Sequence, residues 1–582
     1  MAYFCLTVEP DHERRALFLR QALESARSLG LLEIRTLQRG DFAAVLGAPF
    51  ASVLDLHEGR NGVAFLLGYA LDLNRVPLDA SSLSALWRDD PGVQPDGFFA
   101  AAAWSENEGL TVGVDPLGCI PCAYASPSVG SLVCASTPGD LRAHPEFQSE
   151  LDLEGVAGVL LLNNPLFDRS TLRDARLLPV RSRLRFDASG PKLHRALLPE
   201  PGPVGSFDDA VEELTTLWVD ALTAHSQVVD AGCDLLLSGG RDSRMVAAGL
   251  KQLDCDFRAV TFGRKGEHEY RAARRASRAL RIRDHLLVAD SSNESSLAGW
   301  WTRARRSVAI AGGTCADLHG SAALQPWLHH GILVDDLVGG LASGFCRDRA
   351  TQEVGGHVFF RKLNRWGFSA ETLARLFRDP AIGDYCHELR DRVLTDFSER
   401  AEEPEKVAFD WKLATRMRFH LGYALFELAR YSWPITPACD QRLIAAARRL
   451  PLSLTKGRRI QHEILRRYSP RLLRIPFDGN TRKFLPESRA WLWPRWRQNL
   501  FAASQPLRYH RILDPESEAW RRIRQEAERG REALSVFLEP KVLEELWPVF
   551  PVPLRGRNQF AEMAGARSLM MLASWLATDS RT

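Results

Sequence analysis

Leu235-Leu-Leu-Ser-Gly-Gly-Arg-Asp-Ser-Arg-Met245 decides how the chain is read. Its first residues, with Cys233-Asp234 before them, are an apolar strand. Ser238-Gly239-Gly240-Arg241-Asp242-Ser243 interrupts that strand, and Met245-Val-Ala-Ala-Gly-Leu250 continues as helical text. Strand, glycine loop and helix in this order make a cradle for an anion. Two adjacent glycines let backbone N–H groups close on phosphate oxygens, the helix offers its positive end, and Ser238 and Ser243 add hydroxyl donors. A carboxylate beside a phosphate is repulsive unless a divalent cation bridges the two, so Asp242 reads as a metal ligand. A bare Gly-Gly pair would read as a plain turn; SGGxDS between a strand and a helix reads as a binding loop. No GxxxxGK[ST] run occurs, which leaves the P-loop kinases and ATPases without support.

Outward from the loop towards the C-terminus, Phe257-Arg-Ala-Val-Thr-Phe262 and Gly331-Ile-Leu-Val334 repeat the strand signal between helical stretches. That rhythm predicts a parallel, doubly wound sheet. After about residue 350 the text turns almost wholly helical and dense in arginine. Towards the N-terminus, Ala64-Phe-Leu-Leu-Gly-Tyr69, Gly97-Phe-Phe-Ala-Ala-Ala-Ala-Trp104, Leu110-Thr-Val-Gly-Val114 and Ser131-Leu-Val-Cys-Ala135 are short β-type runs cut by turn signals, which predicts packed antiparallel sheets. Prolines and glycines in Leu197-Leu-Pro-Glu-Pro-Gly-Pro-Val204 end that pattern, and a long helical period starts near Ser206-Phe-Asp-Asp209. The expected domains are therefore 1–200 and 206–582. No internal repeat or low-complexity tract is present.

Composition agrees with two large domains. A chain of 582 residues exceeds one small module, and 45% hydrophobic with 25% charged residues excludes wholesale disorder. The net charge of +3 is too small to argue for a nucleic-acid or membrane-surface partner. Gly155-Val-Ala-Gly-Val-Leu-Leu-Leu162 is among the longest apolar stretches and falls short of the roughly 20 residues of a bilayer span. The opening residues carry neither a basic stretch nor a long apolar run, so no signal peptide is read and a cytoplasmic location is expected. Ten scattered cysteines suit buried thiols in a reducing compartment, and the lone Cys119-x-x-Cys122 pair is assigned no metal.

The loop resembles the pyrophosphate-binding loop of the N-type ATP pyrophosphatases, and the chain nearly end to end resembles the asparagine synthetase superfamily. In the first domain, Asp96-Gly-Phe-Phe-Ala-Ala-Ala-Ala-Trp104, Val114-Asp-Pro-Leu-Gly118 and Ala123-Tyr124 are similar to the family's G-x-F-A and D-x-x-G-x-x-P-L-Y-Y segment. In the second, Thr261-Phe-Gly263 resembles the segment whose backbone meets adenine, and Ser432-Trp-Pro-Ile-Thr-Pro-Ala-Cys-Asp440 the late R-x-P-F-L-D stretch, with Leu450-Pro451 and Ile464-Leu-Arg466 behind it. The resemblance implies an α/β protein: an Ntn-hydrolase-like αββα sandwich over 1–200, then an ATP-pyrophosphatase domain over 206–582 with a large helical extension. It implies ATP and Mg²⁺, with Leu237, Ser238, Gly239, Gly240, Asp242, Ser243, Phe262 and Gly263 at the nucleotide.

Three departures shape the expected function. Family glutaminases use an N-terminal cysteine with its own α-amine as base, whereas position 2 is Ala; Cys5 reads as a buried strand thiol, and no NGE-type or SDTE-type glutamine-binding segment is found. The family's acidic loop appears as Gly331-Ile-Leu-Val-Asp-Asp-Leu-Val-Gly-Gly340, with Leu333 in place of the inner glycine. There Asp335 and Asp336 read as metal ligands beside Asp242, with a helix N-cap as the rival reading. The family's late lysine has no unambiguous counterpart in Arg474-Ile-Pro-Phe-Asp-Gly-Asn-Thr-Arg-Lys-Phe484; Asp478 is near its place, and Lys483 and Arg482 are the candidate catalytic cations. Without a glutaminase, the amine comes from free ammonia or from a substrate. Families with this loss include β-lactam synthetases and lasso-peptide macrolactam cyclases. The favoured expectation is ATP-dependent macrolactam formation on a precursor peptide, whose partners would be a leader-binding protein and a protease. Asparagine synthesis or amidation of another small acid, and a non-catalytic relic with a degenerate nucleotide site, are the alternatives.

Overall fold

The computed structural model describes residues 2–90, 92–198, 202, 204–228, 232–262, 268–288, 332–333, 364, 367–399, 404–430, 432–451, 454, 459–475, 518–547 and 560–579. Among the described residues, thirteen strands precede residue 200: β1 (Tyr3–Val8), β2 (Glu33–Arg39), β3 (Phe42–Ala48), β4 (Leu54–Glu58), β5 (Gly62–Leu71), β6 (Pro77–Leu78), β7 (Asp96–Ser105), β8 (Gly109–Val114), β9 (Ala123–Ala125), β10 (Leu132–Ala135), β11 (Arg176–Leu177), β12 (Ser182–Asp187) and β13 (Gly190–Arg195). They form two antiparallel sheets, ordered β11-β9-β10-β1-β3-β2 and β13-β12-β8-β7-β5-β4, with β6 against β5.

Alternation along the strands explains why the two sheets face each other. Phe4 and Leu6 of β1 join Phe65 and Leu67 of β5 and Phe98 and Ala100 of β7 in one core. Tyr3 and Cys5 point the other way, onto Phe18 and Ala22 of helix α1 (His12–Ser28). On the far sheet, Phe99 and Ala101 meet Leu83 and Trp87 of α2 (Ala80–Asp89), whose start is fixed by an Asp79–Ser82 capping box. The layers therefore run helix, sheet, sheet, helix. The apolar stretch near 155–162 is α3 (Leu153–Leu162); it is buried on every side between the first sheet and later helices, as an all-apolar helix must be.

The second architecture begins with α4 (Phe207–Ser226), capped by a Ser206–Asp209 box. A five-stranded parallel sheet follows, built from β14 (Cys233–Leu236), β15 (Phe257–Phe262), β16 (His285–Val288), β17 (Ile332–Leu333) and β18 (Pro434–Ile435), in the order β16-β15-β14-β17-β18. Between its early strands lie α5 (Arg241–Gln252) and α6 (His268–Ala279). The late region is otherwise helical among the described residues, but β18 departs from the expectation of near-continuous helix. A two-residue strand opening on proline has no periodicity to read; its pairing with β17 defines it. Helices Ala370–Leu376, Pro380–Glu399 and Phe560–Asp579 share a core with Tyr3 and Cys5, so the C-terminal part of the chain covers the outer face of the first sheet.

Residues on both sides of β18 lock the parallel sheet to the antiparallel pair. Trp433 Nε1 donates to Phe98 O at 3.1 Å, and its indole packs edge-on to the Phe98 ring. Gly68, at φ +110°, permits that approach, because a Cβ there would lie 2.2 Å from Phe98 O and 2.7 Å from the indole. Gln441 donates its backbone N–H to Asp96 Oδ1 at 2.9 Å and its amide to Gln94 O at 2.6 Å. Tyr69 Oη accepts from Thr436 N–H at 3.0 Å and lies 2.8 Å from His225 Nδ1. Arg75 Nε donates to Asp440 Oδ2 at 3.0 Å, while Asp440 Oδ1 caps the helix Gln441–Arg448. Burial, and then the nearby Asp440 carboxylate, push the Asp96 carboxyl up to about 8; burial holds His225 down to about 4.

Candidate functional site

The sheet order places the glycine loop at a reversal of winding. From β14 the chain builds outward through β15 to β16, then returns to the other side of β14 with β17. In an open parallel sheet, the connections leaving the C-terminal ends of two such strands diverge, and the crevice between them is where ligands bind. The loop Ser238–Ser243 leaves β14 at that crevice. Leu237, at its entry, is fixed by its N–H to Val260 O at 2.8 Å.

Within the loop, Ser238 Oγ lies 2.9 Å from Ser243 Oγ and accepts from Gly240 N–H at 3.1 Å. Ser238 N–H donates to Ser243 Oγ at 3.1 Å. The two serines thus hold the loop in a tight curl across the start of α5. Gly240 is the N-cap residue and supplies no side-chain cap, so the first-turn N–H groups face a position with no protein hydroxyl or carboxylate from the cap. A Cβ on Gly240 would stand 3.1 Å from Ser238 Oγ and narrow that curl. Asp242 sits in the first turn at 7% exposure. The structure thereby brings Leu237, Ser238, Gly239, Gly240, Asp242 and Ser243 together in one loop and one helix turn.

Two supports were not read from the sequence. Arg244 is fully buried and donates to Ile475 O at 2.8 Å, Leu472 O at 3.3 Å and Gly239 O at 3.0 Å, tying the loop to the segment 470–475. Thr261, one residue before the end of β15, donates its hydroxyl to Leu237 O at 2.7 Å and lies 2.7 Å from His285 Nε2. A hydroxyl has one proton, so with that proton on Leu237 O the imidazole must be the donor, with its proton on Nε2. Burial holds His285 below the ordinary imidazole range. An arginine in an otherwise apolar helix text was the available signal for Arg244; Thr261 stood within the Thr261-Phe-Gly263 stretch, but nothing local pointed to its bond with Leu237.

Phe262 closes β15 at the same end of the sheet. Gly263, Asp335, Asp336, Arg482 and Lys483 lie outside the described residues, the described part of β17 ending at Leu333. Among the described residues, no group of three or more His, Cys, Asp or Glu is disposed to hold a metal ion. No described helix is long and apolar enough to cross a membrane.

Near the N-terminus, neither of the two positions weighed for a glutaminase nucleophile reaches the surface. Ala2 and Cys5 are both fully buried; Cys5 is in mid-strand, its Sγ 3.5 Å from Asp140 O, and burial pushes its thiol well up. The chain matches no protein-family model, and no curated protein is significantly similar to it.

Proposed function

We propose that the chain is an ATP-dependent carbon–nitrogen ligase that activates a carboxylate for attack by an amine. The observation that carries this reading is the SGGRDS loop at the winding reversal of a parallel sheet, opening a helix whose N-cap is glycine. The donor set fits a polyphosphate with a divalent cation: backbone N–H groups and the Ser238 and Ser243 hydroxyls for phosphate oxygens, and the Asp242 carboxylate for Mg²⁺. Bound MgATP supplies the carboxylate activation, with AMP and pyrophosphate as its products. The loop's part is to hold the phosphates in line and neutralise their charge, and Arg244 keeps the loop in place by its bond to Gly239 O. In this reading Phe262 and Gly263 border the adenine, Asp335 and Asp336 complete the metal site, and Lys483 or Arg482 steadies the activated acyl group.

The first domain acts as scaffold in this proposal, and the chain is an Ntn-like sandwich joined to an ATP-pyrophosphatase domain. The amine is then ammonia or a substrate amine, and the favoured reaction is macrolactam closure of a precursor peptide in the cytoplasm. Pyrophosphate release tests the proposal against its rivals. A cyclase releases it with a carboxylate-bearing peptide, an asparagine synthetase with aspartate and ammonia. Absence of release with acids of either class, together with absence of ATP binding, overturns the ligase reading in favour of a relic.

A further inference from the structure

One helix next to the candidate site carries a concentration of charge unlike the near-neutral chain around it. Between residues 271 and 283 there are six arginines. Arg271, Arg274, Arg275 and Arg278 recur at the i, i+3, i+4, i+7 spacing, so they share one face of α6, and all four are exposed. The opposite face is Ala272, Ala273, Ala276 and Ser277, each at most 3% exposed and pressed onto the sheet. Small side chains beneath bring the helix close to the strands and leave the guanidinium groups standing clear. None of the four has a carboxylate at ion-pair distance among the described residues. Asp284, the acidic residue beside Arg283, is 3.9 Å from Arg258 instead. The short 3₁₀ segment Pro470–Arg474 packs against α6 and adds exposed Arg471 and Arg474. That segment is the one Arg244 ties to the glycine loop.

We propose that the exposed arginine face of α6, extended by Arg471 and Arg474, docks an acidic peptide segment belonging to the carboxylate substrate. Guanidinium forks pair carboxylates bidentately, and a row of them with no carboxylate partner among the described residues has its complement in a chain bearing carboxylates at short intervals. The row from Arg271 to Arg278 spans about 10 Å along the helix, the reach of roughly three or four extended residues. Two other polyanions fit less well. Single-stranded nucleic acid needs exposed rings to stack on, and Tyr270, the aromatic residue at this end of the helix, is only partly exposed with its ring 6.1 Å from that of His285. A lipid surface needs an apolar flank to insert, and among the described residues the exposed side chains of α6 are arginines. That the segment belongs to the substrate rests on the ligase reading; the docking itself requires no ATP.

The test is fluorescence anisotropy on the full chain, without nucleotide, using a labelled peptide of alternating Glu and Gly. The probes for comparison are its Gln counterpart, a single-stranded oligonucleotide of equal charge and vesicles of phosphatidylserine and phosphatidylcholine. Binding of the Glu peptide should exceed that of the Gln peptide, weaken with salt, and fall by about tenfold or more in the fourfold Arg→Gln variant at 271, 274, 275 and 278. The fourfold Arg→Lys variant, which keeps the charge, should retain most of it. An unchanged affinity in a folded Arg→Gln variant overturns the proposal. So does tighter binding of the oligonucleotide or vesicles through the same residues, or absence of peptide binding at low salt. Failure of pyrophosphate release with normal peptide binding would instead strike only the ligase reading.

Discussion

The glycine loop and the seam around β18 are both built from polar groups, yet they dispose of them in opposite ways. At the seam, each named group answers one from the other architecture: Gln441 meets Asp96 and Gln94, Thr436 meets Tyr69, Arg75 meets Asp440. In the loop, Ser238 and Ser243 answer one another, and the N-terminal turn of α5 begins on a glycine that offers nothing. A seam closed on itself confers position; a loop whose two serine hydroxyls bond each other can exchange that bond for a ligand's oxygens while Arg244 still holds Gly239 O. The contrast teaches that buried polarity alone does not mark a binding site. What supports the proposed site at the loop is the local Ser238–Ser243 pairing at an edge where the fold opens.

This contrast breaks first, and most visibly, at Asp242. Asp242→Asn keeps volume and removes charge, so a loop that holds MgATP should lose pyrophosphate release by about 10²-fold or more while the protein stays folded, as circular dichroism would confirm. Wild-type turnover in that variant would place the loop with the seam, as structure without chemistry.

A smaller effect is expected in the seam itself, and it concerns pH. The Asp96 carboxyl lies above its unfolded value, at about 8 against 3.8. Its contribution to stability is therefore complete below the unfolded value and is lost as pH rises through the folded one. His225, held at about 4 against 6.5, works in the reverse sense: its contribution is complete above 6.5 and is lost as pH falls through 4. Asp96→Asn keeps an acceptor for Gln441 N–H and abolishes the titration. Its denaturation midpoint relative to wild type should climb steadily between pH 5 and about 8. A difference that does not change with pH would mean that Asp96 is ionised throughout and the seam is held by charge.

The least effect is expected in the first domain. Ala2→Cys places a thiol at a fully buried position, so no ammonia release from glutamine should appear. Measurable glutaminase activity would show that this end of β1 opens to solvent, and the sealed sheet pair would join the loop among the working parts.

The loop was legible because its signal is local: a leucine run, two glycines and a helix fall within eleven residues, and sheet pairing only had to supply the neighbours. The strands near residues 64–69, 97–104, 110–114 and 257–262 were legible for the same reason, their apolar density being enough. The seam was not. Asp96 and Gln441 stand 345 positions apart, and a lone Asp at a strand start gives no sign of its partner. Thr261 was silent likewise, since its hydroxyl is spent on Leu237 and His285, each 24 residues away. The arginine face of α6 was written in the sequence at helical spacing, but its meaning depended on learning that no carboxylate folds over it among the described residues.

The seam also imposes an order of assembly. Its contacts join residues 68–98 to residues 433–441, so the fifth strand of the parallel sheet and its anchors leave the ribosome long after the antiparallel sheets have been made. At about 5–20 residues per second, that interval is tens of seconds, ample for the earlier sheets to form. β18 would then arrive at a surface already shaped to receive Trp433 and Thr436. A two-residue strand too weak to form alone is in effect templated by the older sheets, which gives the antiparallel pair a continuing task as the jig on which the parallel sheet is finished.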